Sequence, residues 1–270
     1  MGYLCGMIGS YTHRIQLLFL WSVSSVVGIL GQSPQYTCNH AVDTLTIDGV
    51  LSEESWFQAP WTQLFIDIEG ERKPKPSLDT KVKMVWDEKY LYIGAELEDP
   101  HVWATLEGRD EIIYHDNDFE VFIDPDGDKL FYYEIEINAN NAVMDLLMTR
   151  PYYMGGRYIM SMNMEGLKHA VHVEGTLNRP LDHDKGWTVE MAIPMKILCE
   201  QLPKKGYPQE EDQWRVNFSR VQWDTDIVNG RYLKNNNPEH NWVWSPTGKV
   251  DIHRPQRWGY VRFSLGNGKK

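Results

Sequence analysis

The chain has 270 residues, a formal net charge of −11 and 42% hydrophobic residues. That length accommodates one large β domain or two small ones, the short spacing of strand-like segments favours one, and the acidic balance argues against a nucleic-acid or anionic-membrane partner. The unusual feature is aromatic: 11 Trp and 14 Tyr, side chains that fill β-sandwich cores and, when exposed, stack on the apolar faces of sugar rings.

Residues 1–31 read as a secretory signal. Arg14 is the only Lys or Arg among them, residues 15–30 are uncharged, and Gly28 and Gly31 stand at the end. Cleavage near Gly31–Gln32 leaves one domain, residues 32–270, that is secreted, periplasmic or at the cell surface, with no further membrane insertion. An uncleaved anchor is the alternative, but the run is short and broken by serines. Two cysteines remain, Cys38 and Cys199. An oxidising compartment permits a bridge between them; two separate buried thiols are the alternative.

Residues 46–51 predict a short strand entering a turn. Ser52 then caps a helical turn that folds Trp56 onto the core. Residues 70–79, with two Pro and five charges, form a loop. Residues 81–86 and 90–97 alternate around Asp87-Glu88-Lys89 and predict a hairpin, ended by Asp99-Pro100.

A second hairpin pairs residues 119–124 with 133–138 across Pro125-Asp126-Gly127. Strand parity puts Phe119, Val121, Ile123, Ile135 and Ile137 on one face. Glu120, Glu134, Glu136 and Asn138 gather on the other. Such a face is either wetted or built to hydrogen-bond a hydroxyl-rich ligand. Asp124, Asp126 and Asp128 alternate as Ca²⁺ ligands do, but the EF-hand spacing is absent, with Ile135 at its twelfth position; a solvated turn is the simpler reading.

Residues 139–186 begin as a long excursion over the binding face, carrying Tyr152, Tyr153, Arg150 and Arg157. Strands follow at 167–176 and 186–194, then a short helix at 195–202 and a core strand at 214–221. Residues 229–241 read as an exposed loop. Strand segments at 242–244 and 258–263 close the sheet, and the tail from Gly266 frays. The fold class is all-β, with long loops and at most short helices.

Five pieces in order carry a resemblance: Thr46-Ile-Asp-Gly-Val-Leu with Trp56, the run from Lys81 to Ile93, Glu98-Asp-Pro, Asp116-Asn-Asp-Phe-Glu-Val-Phe-Ile-Asp-Pro, and Trp244-Ser-Pro with Asp251 to Phe263. Together they resemble the family 9 carbohydrate-binding modules over most of residues 39–265. The resemblance implies an antiparallel, jelly-roll-like β-sandwich that binds oligo- or polysaccharide, serves polysaccharide capture or degradation, and has no catalysis of its own. It further implies a sugar held between Tyr114 and Trp244, with Glu120, Glu136 and Asn138 beneath. Glu136 stands where such modules carry an arginine, so a cationic donor becomes an anionic acceptor. Arg150 or Arg157 would have to supply the missing cation. The resemblance also leaves structural Ca²⁺ open.

Two other functions fit the residues. Glu120 with Glu136 or Glu134 supplies the carboxylate pair of a glycoside hydrolase. The aromatics also suit a cell-surface protein-interaction sandwich. The histidines form no ligand-spaced cluster, and there is no phosphate loop, serine nucleophile elbow or zinc pattern.

Overall fold

The computed structural model describes residue 1, residues 33–200 and residues 206–266. The expected secretory signal, apart from residue 1, lies outside the described residues, as does the end of the helix expected at 195–202.

In chain order the elements are β1 (Gln35–His40), α1 (Glu54–Gln58), β2 (Ile66–Asp67), β3 (Thr80–Trp86), β4 (Tyr90–Glu98), β5 (Asp118–Asp124), β6 (Tyr132–Asn138), β7 (Val143–Met148), β8 (Tyr158–Ile159), β9 (Lys168–Glu174), β10 (Gly186–Pro194), α2 (Met195–Glu200), β11 (Gln213–Gln222), β12 (Thr225–Val228), β13 (Arg231–Lys234), β14 (His240–Val243) and β15 (Gly259–Ser264). Thirteen strands form one hydrogen-bonded sheet, in the order β8-β7-β6-β5-β11-β15-β1-β3-β4-β10-β9, with β14 joining β11 to β2. Every ladder in it is antiparallel except those of β1, which runs parallel to both β15 and β3. The sheet curls so that its halves face each other. Phe119, Val121, Ile135, Ile137 and Phe218 from one half share a core with Met84, Ile93, Val189 and Met191 from the other. The sandwich is thus a single curled sheet.

Both expected hairpins form, as β3–β4 and β5–β6. In the second, Glu120 lies directly opposite Glu136, and Phe122 opposite Glu134. Parity therefore gave the right face. A wetted face is not what forms, however: Glu120, Glu134 and Glu136 are 6%, 5% and 2% exposed. Phe122, Tyr132, Met144, Leu146, Met148 and Trp258 make a second apolar cluster on the same side.

Residues 46–51 are irregular, with a bend at Asp48–Gly49, rather than a strand; Glu190 ties them down by accepting the backbone N–H groups of Asp48 and Gly49. Asp43, not Ser52, caps α1, by accepting the N–H groups of Glu54 and Ser55. Trp56 is buried as expected and donates to Glu190 Oε1 at 3.0 Å. Cys38 on β1 and Cys199 on α2 are free thiols, not a bridge. Both pack as small apolar groups in the main core, and burial pushes the Cys199 thiol up to about 11.

β7 arises inside the expected excursion. It shows no alternation because both of its faces are covered: Val143 and Leu147 enter the main core, and Met144, Leu146 and Met148 the second cluster. Asp145 is its exception, buried on the main-core side and paired with Arg109.

Candidate functional site

A cleft of about 610 Å³ opens on the outer face of β5, β6 and β7. Its floor is Glu120, Glu134 and Glu136 beside Met144 and Leu146, all placed by the pleat. Its sides carry Tyr114 and His115 from the loop before β5, Tyr152, Tyr158 and Met160 from the excursion, and His253 from the loop before β15.

Tyr114 is 42% exposed, yet its backbone is fixed at both ends. Its N–H donates to Glu136 Oε2 at 3.1 Å, and its carbonyl accepts the Trp223 indole N–H at 2.8 Å. Lys234 from the β12–β13 hairpin sits over the Trp223 ring at 3.9 Å. Tyr152 meets the His253 ring edge-on at 4.6 Å. His253 is itself held by Tyr132, whose hydroxyl lies 3.0 Å from Nδ1. Burial lowers the His253 ring to about 4, so it is neutral near pH 7 and brings no cation to Glu134, 4.0 Å away.

The carboxylates are crowded. One oxygen from each of Asp118, Glu120 and Glu136 lies within 4.8 Å of the others. Burial raises Glu120 to about 7, against a small opposing effect of the Ser219 hydroxyl facing it from β11. Burial first, and the charge of Glu120 second, raise Glu134 to about 8. Glu136 and Asp118 are held well above the ordinary carboxylate range, by burial and then by their acidic neighbours, Glu120 first. Among the described residues no Lys or Arg pairs with these four. The buried guanidinium of Arg220 points to the opposite face of the sheet, toward Asp99 at 3.5 Å.

Of the residues expected at the site, Tyr114, Glu120 and Glu136 line the cleft, and Trp244 and Asn138 do not. Trp244 is 3% exposed in the main core. Its ring packs on Phe218 at 5.8 Å and covers Gly259, where any Cβ would collide with the indole. Asn138 is fully buried and organises the turn after β6. Its Oδ1 accepts the N–H groups of Asn140 and Ala142, and its Nδ2 donates to Leu106 and Asp116. Neither Arg150 nor Arg157 lines the cleft, so the missing arginine has no replacement there.

Tyr158 and His115 were not singled out beforehand, and His253 was expected only as a packed loop residue of the C-terminal motif. Tyr152 lay in a segment expected to cross the face, and the adjacent tyrosines were the available signal. The Asp124–Asp128 turn spends its carboxylates on its own backbone: Asp124 accepts from Gly127 and Lys129, Asp126 from Asp128, and Asp128 from Leu130.

The family profile described as "Carbohydrate family 9 binding domain-like" matches residues 47–264. A family 9 carbohydrate-binding module from Caldicellulosiruptor kristjanssonii, solved with cellotriose, superposes with a TM-score of 0.56 at 15% identity, over 87% of this chain and 97% of that one. The same organism's module with glucose gives 0.55 at 15%, over 87% and 98%. A protein from Bacteroides uniformis ATCC 8492 gives 0.62 at 16%, over 86% and 100%. Exoglucanase XynX of Acetivibrio thermocellus is 31% identical over 112 residues, which is 42% of this chain but only 8% of that enzyme. Membership of a binding-domain family removes the hydrolase reading of the carboxylate pair. The match over most of the folded region, on a sandwich of the same architecture, establishes that this chain belongs to the carbohydrate family 9 binding domain-like family.

Proposed function

We propose that the cleft on β5, β6 and β7 binds a neutral oligo- or polysaccharide and serves its capture. The observation that carries this is a ligand-sized cleft whose acidic floor is flanked by exposed Tyr114, Tyr152 and Tyr158. Tyrosine rings cover the apolar faces of a sugar, and floor carboxylates orient its hydroxyls. Since Trp244 is core, the excursion supplies the ring that works with Tyr114. The neighbours solved with cellotriose and glucose make β-linked glucans the first ligands to try. Neutral ligands fit because an acidic sugar would meet the carboxylates of the floor.

The test is a glycan array followed by calorimetry on the best ligand. Tyr114→Ala and Tyr152→Ala, each shown to be folded, should each lower affinity by roughly ten- to a hundredfold, about 1–3 kcal/mol for a lost aromatic contact. Parent-like binding by both would move the site elsewhere. We also propose that the chain is exported with cleavage near Gly31; secreted material whose intact mass retains residues 1–31 would refute this.

A further inference from the structure

We propose that Asp118, Glu120 and Glu136 form a site for one divalent, oxygen-coordinated cation of the calcium class, at the floor of the cleft. The proposal shares its location with the saccharide reading but does not depend on it.

Geometry comes first. Asp118 and Glu120 lie on the same face of β5, and Glu136 is the cross-strand partner of Glu120. Oxygens bound to one calcium ion, at about 2.3–2.6 Å each, stand no more than about 5 Å from one another. The 4.8 Å limit that contains one oxygen from each of these side chains fits that arrangement. The same spacing is poor for three uncompensated charges, each of which is taken out of water.

The hydrogen bonding is the second, independent observation. Val221 N–H takes up Asp118 Oδ1 at 3.1 Å, while Asp118 Oδ2 has no hydrogen-bond partner although the residue is fully buried. Glu134, next along the same face of β6 and 5% exposed, also has an unpartnered oxygen, Oε2. Buried acceptors without a donor are costly and call for a proton, a cation or a ligand. No side-chain cation reaches into it: among the described residues neither Lys nor Arg forms an ion pair with the cluster, Arg220 attracts Asp118 only from the other face of the sheet while pairing with Asp99, and His253 is neutral near pH 7. The turn at Asp124–Asp128 makes the contrast. It too brings one oxygen from each of three carboxylates within 4.8 Å, but Asp126 and Asp128 are exposed to water and all three accept backbone N–H groups, so none is a buried acceptor left without a donor.

Donor chemistry selects the ion. Carboxylates alone, with neither thiolate nor imidazole, favour calcium, magnesium or manganese over zinc or copper. An irregular set with water or ligand oxygens on its open side suits calcium, which tolerates variable geometry, better than magnesium.

The experiment titrates the purified, chelator-stripped protein with Ca²⁺ by calorimetry. In parallel, Tb³⁺ is titrated with luminescence sensitised by the cleft tyrosines. One site per chain is expected. Asp118→Asn and Glu120→Gln, with folding checked by circular dichroism, should each weaken it by about tenfold or more, because each removes a ligand charge. Asp126→Asn in the control turn should leave it unchanged. Absence of Ca²⁺ binding, or loss of binding in Asp126→Asn alone, overturns the proposal. So does tight binding of a glucosamine oligomer without Ca²⁺ binding, which would assign the floor to an ammonium group. Saccharide titrations with Ca²⁺ and with chelator separate the two readings. A chain that binds Ca²⁺ but no glycan sustains the cation site and overturns the saccharide site. A chain that binds glycan but no Ca²⁺ does the reverse.

Discussion

Trp244 and Tyr114 show how far a single residue can be read without a structure. The resemblance implied a sandwiching ring at both, yet one is 3% and the other 42% exposed. A motif gives residue type and order along the chain, not which side of a strand faces water. Around Trp244 both sides are covered, by Phe218 and by Gly259. Glu120 and Glu136 were legible because parity on two paired strands fixes their shared face whatever lies above it. Asn138 shares that parity, but it stands at the end of β6, where its amide serves the turn instead. Trp244→Ala should therefore act on stability before binding, with a loss of about 3–5 kcal/mol for a buried Trp. Chemical denaturation measures it; a parent-like midpoint would return Trp244 to the cleft.

The excursion that carries Tyr152 and Tyr158 is built at the element scale. After β7 the chain makes a tight turn over Tyr152–Met154 and returns as β8, which pairs with β7. Gly156 makes the return by packing its Cα against the Arg150 carbonyl, so closely that any Cβ would collide with it. The turn also leans on the C-terminal loop, through Tyr152 on His253 and Tyr153 Oη on Gln256 at 3.0 Å. The breakers in this segment were visible in the sequence. The pairing was not, because β7 has two buried faces and lacks period two, and β8 is only two residues long. Gly156→Ala should displace Tyr152 and Tyr158 while leaving the sandwich intact. We expect a loss of saccharide affinity of roughly tenfold or more with little change in Tm, since the affected backbone is exposed. Unchanged affinity would mean that the excursion contributes no contact.

Over the whole molecule, the all-β class and the two principal hairpins were legible from alternation, while closure of the sheet was not. β1 carries little hydrophobic pattern, and its partners, β3 and β15, are remote in sequence, so the parallel ladders that close the curl leave no local trace. The loops and the excursion that cover the outer face bury the acidic floor, and buried carboxylates make stability depend on pH. Glu120 and Glu134 move from an ordinary value of 4.5 to about 7 and about 8 on folding. Because these folded values are raised, the folded state binds more protons. Their contribution is fully present below about pH 4.5 and is lost as the pH rises through about 7 and 8. His253 has the opposite sign: its folded value falls from 6.5 to about 4, so its contribution is complete above pH 6.5 and is lost as the pH falls toward 4. Between pH 6.5 and 8.5 the glutamates therefore act without His253, alongside Asp124 outside the cleft, which burial raises from 3.8 to about 7. In chelator, the parent Tm should fall across that window, and Glu120→Gln should fall less. Calcium competes with protons for the same oxygens, so it should raise the parent Tm more at pH 8.5 than at pH 6.5. Thermal melts at the two pH values, with chelator and with calcium, measure all four quantities. A Glu120→Gln profile that parallels the parent's would show that the floor carboxylates do not set this dependence.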